Sequence, residues 1–280
     1  MKKFLAVFDG YKMSKSTVDY AIQLTKAVDA HLVGVFLDEF IYRSYNVYKV
    51  VTGYDNYEKV MKTLDAKDKN KRDAAALQFQ KACGKAGIHF SIHRDKSIAI
   101  QELKLESMFA DLIIINENET FTRYREQTPT RFIKDLLGDV QCPVLAVSNN
   151  FKAIDKIVLL YDGHPASLHA IKMFSYLFGS LRDIPVEVFS VKDSKDSSLR
   201  LPENKLMREF IKRHFPTTEY LVEKGVAEET IVRHLISRKE NELVVLGAYQ
   251  RSELSRIFKT SMADILMKEV DTPLFIAHNK

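Results

Sequence analysis

Cysteine is almost absent from this 280-residue chain: Cys83 and Cys142 are its only two, and they lie far apart in stretches of buried type. Two such residues make no disulfide framework, so they read as reduced core thiols and the protein as cytoplasmic. Long apolar runs are missing as well. Nothing approaches the roughly 20 residues that span a bilayer, and no membrane role is expected. The opening Met1-Lys-Lys-Phe-Leu-Ala-Val-Phe sets two lysines before an apolar stretch, but Asp9 ends it too early for a secretory signal. Charge of one sign does not dominate either. Lys and Arg number 42 against 37 Asp and Glu, a net of +5, and the lysines are spread, which argues against a nucleic-acid partner.

Catalytic signatures are also lacking. There is no Gly-x-Ser-x-Gly elbow, Walker loop, His-Glu-x-x-His helix or Gly-x-Gly-x-x-Gly turn, so no catalytic residue is nominated and the leading reading is non-enzymatic. His164 and His169 lie near Asp162, but two histidines and one acid give no specific ligand pattern, and no metal site is assigned. His89 and His93 share one side of a predicted strand and are expected to face solvent or cover a helix edge. Cys83 has lysines nearby but no base to activate it.

What the chain does have is a duplication. Phe4-Leu-Ala-Val-Phe-Asp9-Gly10 and Lys156-Ile-Val-Leu-Leu-Tyr-Asp162-Gly163 are two apolar strands of one pattern, each closed by Asp-Gly, 153 positions apart. Hydrophobic residues at 46% and charged residues at 28% suit a globular chain, and the length suits two domains, 1–150 and 151–280, with a seam near Asn149 to Asp155. In the first half, strands are predicted at 3–9, 31–38, 88–94, 111–116 and 143–148. Helices are predicted over 14–29 with Ser14 or Ser16 as cap, through about Lys85, and over 98–110 and 131–137. The second half repeats the order, with strands at 156–161, 186–191, 219–223, 243–246 and 273–277. Its helices are predicted over 166–180, 202–214, 228–239 and 261–269. Five strands alternating with helices in each half predict an α/β, doubly wound parallel sheet with helices on both faces.

Only the middle spacing differs, leaving the first half with an insertion of 24 residues near 40–70. It holds Tyr42, Tyr45, Tyr48, Tyr54 and Tyr57, a composition that suits a lid or a protein-partner surface as well as a loop packed on its own domain.

The ordered set resembles the universal stress protein family in its tandem two-domain form. It comprises an apolar strand ending in Asp-Gly, a helix, a second strand ending in an acid, and a closing Cys142-Pro143-Val-Leu-Ala-Val or Thr272-Pro273-Leu-Phe-Ile-Ala. The resemblance implies two flavodoxin-like (adenine nucleotide alpha hydrolase-like) domains packed as an intramolecular pseudo-dimer, with the closing strands paired across the pseudo-two-fold axis. Further homo-oligomerisation stays open. Many members bind ATP through a loop after strand four written G-x2-G-x9-G-[S/T], where glycines let backbone amides reach the phosphates.

In the first half those positions are Asn116, Glu119, Pro129 and Thr130, without a glycine, so ATP binding by the family's mode is not expected there. In the second half they are Gly247, Gln250, Thr260 and Ser261, with Arg251, Arg256 and Lys259 in the same loop. The resemblance adds Asp162 and Gly163 at the adenine or ribose end, with Val191 nearby. The bland alternative for Asp162 is a helix cap or turn holder, and for Gly247 a turn after a buried strand. The expectation is therefore a stress-response protein that binds a small ligand or a partner through its second half. The alternative is an ATP- or AMP-binding switch or slow ATPase acting there.

Overall fold

The computed structural model describes residues 1–37, 44–95, 98–122, 124–181, 183–238, 240–248 and 261–278. The first half runs β1 (Lys3–Phe8), α1 (Lys15–Val28), β2 (His31–Leu37), α2 (Val47–Gly53), α3 (Tyr57–Ala86), β3 (Phe90–Asp95), α4 (Ala99–Ser107), β4 (Leu112–Asn116), α5 (Arg131–Asp139) and β5 (Val144–Val147). The second half runs β6 (Lys156–Leu160), α6 (Pro165–Phe178), β7 (Val186–Lys192), α7 (Asn204–His214), β8 (Thr218–Lys224), α8 (Ala227–Ile236), β9 (Glu242–Gly247), α9 (Met262–Glu269) and β10 (Leu274–Ala277). Predicted and observed ends differ by a few residues, as expected where helices fray.

Local chemistry sets these limits. Ser14 caps α1, its hydroxyl accepting the Thr17 amide at 3.2 Å, and Thr130 does the same for α5 through Ile133 at 3.2 Å. Gly87 closes α3 at φ 67°, a left-handed turn that glycine adopts without cost.

The ten strands form one sheet in the order β3-β2-β1-β4-β5-β10-β9-β6-β7-β8. Every pairing is parallel except β5 with β10, which run antiparallel with Leu145 opposite Phe275. The two halves are thus mirrored in order about that joint, and the closing strands pair as the resemblance implied. Had they stayed apart, each would have offered an open edge.

The core ignores the seam. One cluster of buried side chains on one face of the sheet includes Phe4, Leu145, Phe174, Phe178 and Phe275, and Phe178 lies 5.8 Å from Phe4 and 6.2 Å from Phe275, ring centre to ring centre. The linker is clamped as well. Phe151 packs edge-on to Tyr20 at 4.8 Å, the Lys152 amide donates to the Tyr20 hydroxyl at 3.2 Å, and His278 reaches from the end of β10 to the Val140 carbonyl at 3.1 Å.

The insertion is not a loop. Residues 44–70 fold into α2 and the start of α3, and 38–43, including Tyr42, lie outside the described residues. The apolar anchor of the 30-residue α3 lies in its second half, where Phe79 is buried against Phe8, Phe36 and Phe90. Gly34 of β2 makes room for it: a Cβ there would come within 2.6 Å of the Phe79 ring. Upstream, Tyr48, Tyr54 and Tyr57 stand exposed, while the Tyr45 hydroxyl donates to Asp65 at 2.6 Å.

His93 covers a helix edge, pairing with Glu106 of α4 at 2.5 Å, and His89 is exposed. Both cysteines are free and buried, and burial pushes each thiol up to about 12. Among the described residues no helix is long and apolar enough to cross a membrane.

Candidate functional site

Parallel strands that feed helices gather loop residues at their carboxyl ends, and in each half that edge is where a ligand would sit. The two edges are built differently.

In the first half the polar side chains at that edge bond to the chain itself. Asp9, 5% exposed, accepts the Tyr11 and Lys12 amides at 2.9 and 2.6 Å, a turn-holding arrangement. Asn116, at the position the resemblance assigns to the first loop glycine, donates to Asn149 at 3.1 Å and to Ser14 at 3.5 Å, and its oxygen accepts the Asn118 amide at 2.9 Å. Glu119 turns inward, accepting the Thr120 and Phe121 amides at 3.0 and 3.2 Å. Burial, followed by the Asp9 charge, pushes Glu119 up to about 7, and burial also raises Asp9. Two neighbouring acids here repel polyphosphate.

Helix α3 closes the crevice from above. Asp68, 3% exposed, accepts the Tyr11 hydroxyl at 3.2 Å and the Ser44 amide at 3.1 Å, while the Arg72 guanidinium lies 4.3 Å over the Tyr11 ring. Sequence reasoning missed Asp68 and Arg72, although their four-residue spacing places both on one helix face.

In the second half the candidate residues converge on the first turn of α6. Asp162 accepts the His164 amide at 2.9 Å and the Ser167 hydroxyl at 2.6 Å, so it holds the helix start while remaining exposed. Gly163 has φ +85°, and a Cβ on it would lie 2.7 Å from Pro202, next to buried Leu201. Gly247 ends β9 directly beneath α6. A Cβ there would stand 2.4 Å from the Ala166 carbonyl carbon and oxygen, so close helix-strand packing already requires glycine.

Val191 sits partly buried on β7 against the core. Ser261 is the N-cap residue of α9, and its side chain makes no capping hydrogen bond. Gln250 and Thr260, together with Arg251, Arg256 and Lys259, lie outside the described residues. Asp162, Gly163 and Gly247 are therefore brought together, with packing roles already assigned to each. Among the described residues no three His, Cys, Asp or Glu side chains converge to hold a metal ion.

The amino ends of the second-half strands carry a polar cluster that sequence reasoning also missed. Glu187, 1% exposed, accepts Lys156 at 3.0 Å, His234 at 2.7 Å and Arg238 at 2.7 Å, and the His234 ring stacks on Phe189 at 3.9 Å. Burial alone would raise Glu187, but the hydrogen bonds from His234 and Lys156 outweigh it and hold the carboxyl at about 2. The signal in the sequence was a charged residue in the first two positions of apolar strands: Lys156, Glu187 and Glu242.

Sequence comparison finds no matching family model and no matching curated protein. Solved structures do match. A universal stress protein from Archaeoglobus fulgidus DSM 4304 is 12% identical, covering 99% of this chain and 96% of its own, with a TM-score of 0.68. A functionally unknown protein from Pseudomonas aeruginosa PAO1 is 14% identical over 99% of this chain and 92% of its own, with a TM-score of 0.63. At such identities the likeness is one of fold, and it extends over both halves.

Proposed function

We propose that this chain, which has the tandem fold of universal stress protein structures, is a non-enzymatic stress-response protein with one working ligand crevice, in the domain spanning 151–280. The observation behind this reading is the first crevice, where Asn116, Glu119 and Asp9 spend their polar atoms on the chain itself, two of them acids, and Asp68 and Arg72 of α3 cover Tyr11. The domain spanning 1–150 then serves as scaffold and as the base of the α2–α3 arm, whose exposed tyrosines suit a protein partner. The second crevice, bounded by Asp162, Gly163, Val191, Gly247 and Ser261, takes the small ligand.

A nucleotide-binding switch is the second reading, and one feature favours it: the Ser261 hydroxyl at the start of α9 is not spent on capping. Calorimetric titration of ATP and AMP into the wild type, Asp162→Asn and Ser261→Ala separates the two readings. Heat in the wild type that disappears in Ser261→Ala supports the switch. No heat in any of the three supports a ligand without phosphates, and heat undiminished in both variants places binding away from this crevice. Gly247 is a poor probe, because any side chain there strikes the α6 backbone.

A further inference from the structure

The α2–α3 arm gathers charge that the rest of the chain does not have. Residues 44–86 hold nine Lys and Arg against five Asp and Glu, so four of the chain's five surplus positive charges sit there. Three of the arm's acids are spent on the fold. Asp68 holds Tyr11 and Ser44, Asp65 accepts the Tyr45 hydroxyl at 2.6 Å, and Asp73 pairs with Arg94 at 2.7 Å. The lysines are not spent. Lys59, Lys62, Lys67, Lys69 and Lys71 are exposed, and among the described residues no acid is in ion-pair range of any of them.

Helical geometry turns these charges outward. Asp68, Arg72 and Phe79, at steps of four and seven, fall on the stripe of α3 that meets the domain. Lys59, Lys62 and Lys69, at steps of three and seven, fall on the opposite face, and Lys67 and Lys71 flank it. The 30 residues of α3, at about 1.5 Å each, make a rod of roughly 45 Å. At its upstream end α2 adds an apolar tip, where Tyr48 is 75%, Tyr54 55% and Val51 44% exposed.

We propose that the arm docks an acidic polypeptide segment, its carboxylates lying along the α3 lysines and its apolar side chains on Tyr48, Val51 and Tyr54. This rests on the reading of the arm as a protein-partner surface and names the chemistry of that partner. Charge complementarity selects a polyanion. The kind of cation selects carboxylates over phosphates: the outward charges are lysines, while Arg72, the one arginine in 44–86, lies 4.3 Å over the Tyr11 ring instead of offering its planar fork. A lipid surface fits less well. A membrane-surface helix presents an apolar stripe outward, whereas α3 buries Ala75, Ala76 and Phe79 against its own domain. Tyrosine, with an apolar body and a polar tip, suits a protein contact at the end of the rod.

The test measures binding to the full-length chain at about 0.15 M salt, where weak long-range attraction is screened. The probes are a Glu-Glu-Leu-Glu repeat peptide, an oligothymidylate of equal charge and phosphatidylserine vesicles. The peptide should bind the wild type, and Lys62→Glu/Lys67→Glu/Lys69→Glu should weaken it at least ~10-fold. Tyr48→Ala/Tyr54→Ala should weaken it by a similar factor, about 10-fold. Equal reversals of exposed lysines in the second half, Lys172→Glu/Lys205→Glu/Lys212→Glu, should leave it within about twofold. Should the arm reversal lower the melting temperature, Lys62→Gln/Lys67→Gln/Lys69→Gln replaces it, with a smaller loss of the same sign expected. No binding of the peptide, equal losses from the two triple reversals, or tighter binding of the oligothymidylate or the vesicles would overturn the proposal. Loss with the tyrosine pair alone would overturn the acidic partner while leaving the arm a protein surface.

Discussion

Residue-level detail separates the packing glycine from the phosphate glycine. Gly247 occupies the one loop position that both readings need, yet its missing side chain is already explained by Ala166, 2.4 Å from where a Cβ would stand. Gly247→Ala should therefore cost about 1–3 kcal/mol by overpacking, read as a drop in the denaturant midpoint with or without ligand. Glu187 poses a different problem, because three cations depend on it. Glu187→Ala should destabilise by about 3–5 kcal/mol by removing the buried carboxylate that Lys156, His234 and Arg238 all donate to. Its acid limb has a definite sign. A carboxyl held at about 2 contributes stability above about 4.5 that is lost as pH falls toward 2, so the variant should show a shallower acid unfolding curve. The paired Asp-Gly turns were legible in the sequence as a repeat. So was a turn-holding role for Asp9; the cover over its neighbour Tyr11 was not, because Asp68 and Arg72 come from a helix some sixty residues downstream.

Among elements, the strands were readable, as was a charged helix ending near Lys85, but not how far back into the insertion α3 reaches. Runs such as Leu112–Asn116 and Glu242–Gly247 are nearly all buried, and continuous apolar character marks a strand covered on both faces. Helix α3 carries charge along most of its length and buries chiefly Ala75, Ala76, Phe79 and Cys83, so its first turns lack the apolar stripe that identifies a packed helix. It is held upstream by the Asp68 and Arg72 contacts and downstream by one large ring. Phe79→Ala should remove about 3–5 kcal/mol, and hydrogen exchange should show the α2–α3 arm released while β1 and β2 stay protected. Equal exchange across α3 in the wild type would mean that the arm is not the weakly held part.

At the scale of the whole molecule, the two halves share one sheet and both of the apolar clusters that cover it. Fragments 1–150 and 151–280 should not reach native stability separately, because cutting at the seam exposes Phe178, Phe275 and Leu145 and opens the β5 and β10 edges. Far-ultraviolet dichroism and melting of each fragment check this, and a cooperative transition in both fragments at the full-length temperature would contradict it. The shared fold implies two crevices by symmetry. The proposed function counts one, since Glu119 and Asp9 put two buried acids at the first and no such pair stands beside Asp162 and Gly163 among the described residues. Native mass spectrometry of the full chain titrated with ATP, AMP and phosphate-free small molecules counts the occupied crevices. The account predicts at most one bound equivalent per chain, lost in Ser261→Ala or Asp162→Asn, and two equivalents per chain would contradict it.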